Sequence, residues 1–230
     1  MLETIYTIPI NEAFEECRDD AKKGCPFCLL KKKLEENEID LILGASMMEP
    51  DVRQKTNKLG FCGDHFGLML KAKNRLGLAL ILESHLNEIR SDISGKGLSA
   101  LKGKGVAACE RIEELEKSCY VCTRIENSFV KMLENTVWLW EQDGDFRKKF
   151  DSQPLFCLSH FKRICETGKK ELSKKKFPDF YSAAYKVTMD YLDSLCDDVS
   201  HFCKKFDYRY DDEPWGNSKD SPERAVSFLE

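Results

Sequence analysis

The sequence predicts an all-α protein built as two helical pseudo-repeats, each clamped by a Cys3His metal site. Three observations carry that expectation. Apolar residues recur at intervals of three and four over long stretches, the period of an amphipathic helix. Helix-start signals stand ahead of those stretches. Four metal-ligand pairs fall at matched spacing: Cys25-Pro-Phe-Cys28 with Cys62-Gly-Asp-His65, then Cys119-Tyr-Val-Cys122 with Cys157-Leu-Ser-His160.

The second half repeats the first almost in register. Cys28 to Cys62 is 34 positions and Cys122 to Cys157 is 35. Asp51-Val-Arg53 recurs as Asp145-Phe-Arg147, and Phe61-Cys62 with His65-Phe66 recurs as Phe156-Cys157 with His160-Phe161. This division places the first repeat at 1–90, a linker at 91–105, the second repeat at 106–206 and an acidic tail with a short terminal helix at 207–230.

Taken in order, Thr4 to Ile10 is short, β-branched and contains Pro9, which predicts an extended opening segment. Asn11 then caps a helix to about Lys23, with Glu12 and Glu15 suited to its positive end. Pro26 suits the first turn of a helix carrying Cys28, Leu29, Leu30 and Leu34. Gly44 to Pro50 reads as a break, and 51–58 as at most a short helix.

From His65, the positions Met69, Ala72, Leu76, Ala79, Leu82, Leu86 and Ile89 predict one long amphipathic helix. Its apolar middle, 76–82, should be buried, with Gly77 admitting a close neighbour. Residues 91–105, rich in Gly, Ser and Lys, read as a flexible linker; no phosphate-loop register passes through them.

The second repeat predicts helices near 106–117 and 120–141, a short piece at 145–150, and a helix starting at the second CxxH. Pro178 precedes a last long helix with the stripe Phe180, Ala184, Val187, Tyr191, Leu195, Val199, Phe202 and Phe206. Ser221-Pro222-Glu223 starts a small terminal helix that should dock on the body.

Composition bounds the setting. Eleven cysteines is high and odd. The opening residues lack a basic and then apolar leader, and no stretch approaches a membrane span. Reduced thiols and metal ligation therefore fit better than disulfides, and the expected location is cytoplasmic. The net charge of −4 resides in residues 207–230, where seven acids face three bases. Lys31-Lys32-Lys33 and Lys174-Lys175-Lys176 are short basic runs beside acids, read as solvated helix faces. A nucleic-acid groove needs a sustained basic stripe. Neither nucleic acid nor membrane is an expected partner; the expected partner is a protein, and the oligomeric state is open.

Three thiolates and one imidazole complete a tetrahedral shell for a borderline metal. The expected ligands are Cys25, Cys28, Cys62 and His65 at one site, and Cys119, Cys122, Cys157 and His160 at the other. Each pair is spaced i, i+3 at a helix start, where unpaired amides and the positive dipole end favour thiolate. Zinc suits this set, two ions per chain, because four protein ligands leave no open catalytic position. An iron–sulfur cluster is the alternative.

Cys25-Pro-Phe-Cys28 also matches a glutaredoxin-like redox pair. That chemistry needs a preceding strand and a βαβ setting, whereas Ala21-Lys22-Lys23-Gly24 precedes the motif here. Cys17 and Cys109, upstream of the two CxxC pairs, are candidate extra ligands or exchange partners, with buried helical thiols the plainer reading. Cys165 has no assigned role. Cys196, His201 and Cys203 are irregularly spaced and read as packing or surface residues. His85 has no expected partner, Trp138 and Trp140 read as core, and each Asp-x-Arg has a structural ion pair as its default reading, with a hydrogen bond across the loop or a bound ligand as the alternatives. No catalytic triad, paired-carboxylate motif or dinucleotide fingerprint is visible. The functional expectation is a non-catalytic scaffold or adaptor, with a redox or metal sensor or electron carrier as the alternative.

The segments Thr7-Ile8-Pro9-Ile10-Asn11-Glu12-Ala13-Phe14, CPFC, Met48-Glu49-Pro50-Asp51-Val52-Arg53 and Asn57-Lys58-Leu59-Gly60-Phe61-Cys62 with His65 resemble an uncharacterised family of bacterial Cys/His-rich proteins. Its members are sometimes labelled automatically as substrate-binding proteins of ABC transporters. No export signal, lipobox or two-lobed α/β pattern here supports that label. The resemblance implies an all-helical duplicated fold and transfers no activity.

Overall fold

A computed structural model describes residues 4–94 and 104–229. They form eleven α-helices: α1 (Thr7–Asp19), α2 (Pro26–Leu43), α3 (Pro50–Leu59), α4 (Gly63–Lys71), α5 (Arg75–Ile93), α6 (Lys104–Lys117), α7 (Tyr120–Gln142), α8 (Gly144–Asp151), α9 (Leu158–Glu171), α10 (Phe177–Lys204) and α11 (Ser221–Leu229), with short 3-10 turns between some of them. No strand occurs among the described residues, and no helix is long and apolar enough to cross a membrane.

The chain divides into two compact units that do not follow the predicted repeat boundaries. One comprises Met1–Lys31 with Val130–Glu230; the other is Lys32–Phe129. The boundaries fall inside α2 and α7, so the first CxxC belongs with the second half of the chain and the second CxxC with the first. Most of the predicted linker, 95–103, lies outside the described residues; 91–93 continue α5 and 104–105 begin α6. The predicted acidic tail is part of the first unit.

The first unit is packed around phenylalanines. Phe14 meets Phe27 edge-on at 5.5 Å and lies 5.0 Å from Phe146, while Phe150 stands 4.8 Å from Phe156 and 5.4 Å from Phe180. All six are fully buried, each contributing about 2–3 kcal/mol of apolar transfer. Gly168 brings α9 against α10, since a Cβ there would sit 2.5 Å from the Phe180 ring. At the chain end, buried Phe228 packs 5.4 Å from Tyr191 and Arg224 pairs with Asp198 at 2.8 Å, docking α11 as its start signal predicts.

The second unit buries Ile39, Ile42, Leu78, Ile81, Val121 and Ile125 with Phe61, Met69 and Tyr120. Arg111 donates to the carbonyls of Asn57 and Lys58 and pairs with Asp92 at 2.9 Å, fastening α6 across α3 and α5.

Three local expectations are corrected. Thr4 to Ile10 is not extended: α1 starts at Thr7, with Pro9 in its first turn, where a missing N–H is harmless. Asn11 is therefore inside the helix and donates back to the Thr7 carbonyl at 3.0 Å. The long helix predicted from His65 breaks after Lys71: Lys73 takes φ 63°, and Asn74 caps α5 by accepting from the Gly77 amide at 2.9 Å. The buried face of α5 is consequently Gly77, Leu78, Ile81 and His85, while Leu76 and Leu86 face outward. Gly77 does admit a neighbour, because a Cβ would meet the Leu43 carbonyl at 2.7 Å.

The Asp-x-Arg motifs are not ion pairs. Arg53 donates to the Met47 and Leu80 carbonyls, and Arg147 to the Trp140 carbonyl while stacking 4.1 Å over that ring. Asp51 and Asp145 instead pair with Lys55 and Lys148. Of the two tryptophans predicted as core, Trp140 is buried and Trp138 is partly exposed.

Candidate metal centres

All eight predicted ligands gather, but with exchanged partners. Cys25 and Cys28 meet Cys157 and His160 within the first unit; Cys62 and His65 meet Cys119 and Cys122 within the second. Each CxxC is completed by the CxxH of the other repeat, which corrects the expectation that each repeat closes its own site.

Local structure explains the donors' convergence. Cys62 and Cys157 are the residues preceding the first turns of α4 and α9, with extended backbone, and their carbonyls accept from Phe66 and Phe161 at 3.0 and 2.8 Å. His65 and His160 then lie one turn on, facing back. Cys25 and Cys119 stand likewise just before α2 and α7, with Cys28 and Cys122 one turn inside. Each cluster thus joins two helix N-termini, whose free amides and dipoles favour anionic sulfur. Where α7 begins, the Cys122 amide lies 3.5 Å from the Cys119 sulfur.

Aromatic packing follows the same exchange. Phe156, beside Cys157, lies 5.4 Å from Phe27 of the first CxxC; Phe61, beside Cys62, lies 6.4 Å from Tyr120 of the second. The second cluster is further fixed by the Tyr120 amide donating to the Gly60 carbonyl at 2.9 Å and the Ser118 hydroxyl to the Leu59 carbonyl at 2.7 Å. Gly60 has φ 60°, the left-handed turn needed to bring Cys62 round.

The donor atoms have the spacing of a single tetrahedral ion. In the first cluster, Nδ1 of His160 is 3.0 Å from Cys157 Sγ, 3.3 Å from Cys28 Sγ and 4.0 Å from Cys25 Sγ, and Cys28 Sγ is 3.6 Å from Cys157 Sγ. In the second, Nδ1 of His65 is 3.0, 3.3 and 3.4 Å from Cys62, Cys119 and Cys122, and Cys62 Sγ is 3.9 Å from Cys122 Sγ. Bond lengths of about 2.3 Å to sulfur and about 2.0 Å to nitrogen give tetrahedral edges of roughly 3.5–3.8 Å. The residues fit the ion.

Crowding splits the acidities of these sulfurs. Bonds from Cys25 and Cys28 hold Cys157 far below the usual thiol range, burial pushes Cys25 well up, and the bond to Cys157 pushes Cys28 to about 12. Burial likewise raises Cys122 to about 12. A dication bound among the sulfurs would let all three ionise together. Cys28 and Cys122 are the exposed ligands; Cys25, Cys119 and Cys157 are buried, and Cys62 lies between.

Glu35 is a residue the sequence reading missed. Its Oε1 lies 3.2 Å from the buried Nε2 of His65, though outside hydrogen-bond geometry. A glutamate in a lysine-rich helix reads as surface, so its position in space was the only signal. The remaining thiols belong to neither cluster: Cys17 is buried, Cys165 half-buried, and Cys109, Cys196 and Cys203 exposed. His201 turns to the Pro214 carbonyl at 3.0 Å, and His85 finds a partner in the Asn57 carbonyl at 3.1 Å.

The whole chain, residues 1–230, matches the model of a family of unknown function, DUF6062, and the protein belongs to that family. Neither the curated proteins nor the solved structures contain a match to it.

Proposed function

We propose that each cluster binds one zinc ion and that the protein is a metal-stabilised helical scaffold or adaptor, non-catalytic, cytoplasmic and acting through a protein partner. The observation that carries this reading is the donor geometry. Four ligand atoms lie within 4.8 Å of one another in each cluster, all supplied by the chain. A shell filled by protein leaves no position for a substrate or an activated water, so the chemistry available to the ion is structural.

The spacing supports one ion over an iron–sulfur cluster, because a cluster interposes its own iron and sulfide atoms and holds its ligands farther apart. Zinc also suits a mixed sulfur and nitrogen set without needing a redox partner. In each unit the ion would join chain segments far apart in sequence, so its binding energy becomes folding energy.

Metal analysis of protein purified without oxygen tests the reading. About two zinc ions per chain in a colourless protein is the expected result. Brown protein with visible absorption and bound iron would overturn it in favour of an electron carrier or cluster sensor.

A further inference from the structure

The first unit holds a cleft of about 600 Å³ beside Cys25, Cys28 and Cys157, within the size range of small-molecule sites. Its far wall comes from outside the duplicated motifs, from Tyr191, Asn217, Arg224 and Phe228. That wall is fixed: Phe228 is buried against Tyr191, and Arg224 is tied to Asp198 at 2.8 Å and Asp220 at 3.0 Å. Of the three sulfur ligands that line the cleft, Cys25 and Cys157 are buried and Cys28 is exposed. Cys28 is therefore the sulfur that a molecule in the cleft would meet.

The rim is cationic. Lys22 and Lys23 line it. Lys23 is engaged by Glu16 at 3.0 Å, and Asp220, the acid lining the cleft, is taken up by Arg224. Lys22 has no ion pair among the described residues, and its side chain is exposed at the mouth.

We infer that this cleft is a site for a small anionic molecule bearing an electrophilic carbon, recognised by the lysine rim and alkylating the metal-bound Cys28 sulfur. The inference rests on the metal reading of the cluster. A ligated thiolate is already deprotonated, so no base is required. Its lone pair forms the sulfur–carbon bond, the carbon–leaving group bond breaks with its electron pair, and the product is a thioether on Cys28.

Zinc-loaded full-length protein treated in parallel with iodoacetate and iodoacetamide, followed by peptide mapping and zinc analysis, tests this. Both reagents deliver carbon and release iodide, but only iodoacetate is anionic. Cys122, the exposed ligand of the second cluster, is the internal control. The ratio of iodoacetate to iodoacetamide rates should be about threefold higher at Cys28 than at Cys122, as one exposed charge interaction allows. Lys22→Glu should bring the ratio at Cys28 down to that at Cys122. Equal ratios at the two cysteines, or an excess that survives Lys22→Glu, would overturn the cleft assignment. Failure of the metal reading shows separately, as a chain without zinc in which Cys25 and Cys157 are modified alongside Cys28. The reagent ratio at Cys28 in the same digest still decides the cleft.

Discussion

Asn74 does two jobs with one amide: it caps α5 through the Gly77 N–H and donates to the Leu43 carbonyl at 2.7 Å. Asn74→Ala should cost about 1–2 kcal/mol in chemical denaturation, and an unchanged midpoint would show that the break between α4 and α5 is held otherwise. His85, buried with its Nδ1 at the Asn57 carbonyl, has its pKa lowered from 6.5, chiefly by burial. A depressed pKa in the folded state means that protonation favours unfolding. Its contribution is complete above pH 6.5 and declines as pH falls through the folded value. Stability measured from pH 7.5 to 5 should therefore lose less in His85→Asn than in wild type. A slope unaltered by the substitution would contradict that assignment.

At the scale of elements, two glycines on different helices should respond oppositely to the same change. Gly168→Ala drives a methyl into the Phe180 ring, where the gap is 2.5 Å, and should cost about 1–3 kcal/mol. Gly67, inside α4, has nothing within 4 Å of its built Cβ, so Gly67→Ala should stabilise by about 0.5–1 kcal/mol. Thermal melts of both variants decide the point, and equal shifts would mean that neither packing nor backbone freedom is as described. The helices themselves were legible in the sequence, since α7 and α8 begin and end close to where periodicity and start signals place them, and α9, α10 and α11 begin there. What was not legible was finer: whether Pro9 opens or precedes a helix, and that Asn74 interrupts an apolar run whose spacing of three and four never falters. A regular stripe also hid which face is buried, because Leu76 and Leu86 fit the period yet face outward.

For the whole molecule, the eight clustered residues were legible and their grouping was not. Duplicated CxxC and CxxH motifs identify eight donors by chemistry, but near-equal spacing allows either motif to close with either partner. Proximity in sequence favoured pairing within a repeat. The preference is small: loop-closure cost grows with the logarithm of length, so closing Cys28 to Cys157 rather than to Cys62 costs only about 1 kcal/mol more. Packing Phe27 against Phe156 and Phe14 in the first unit outweighs that. The long closures would make a metal clamp matter more. Cys157→Ser should loosen the first unit and Cys62→Ser the second, each lowering the melting temperature toward that of chelator-treated wild type. Melting that neither chelator nor substitution changes would show that the helices hold the units without metal.

The exchange of partners is tested most directly by counting zinc in two fourfold variants, each lacking one CxxC and one CxxH. Removing Cys25, Cys28, Cys157 and His160 together deletes one cluster and leaves Cys62, His65, Cys119 and Cys122 complete. That protein should retain about one zinc ion per chain. Removing Cys25, Cys28, Cys62 and His65 instead breaks both clusters and should leave no tightly held ion. The reverse result, one ion kept by the second variant and none by the first, would contradict the crossed pairing.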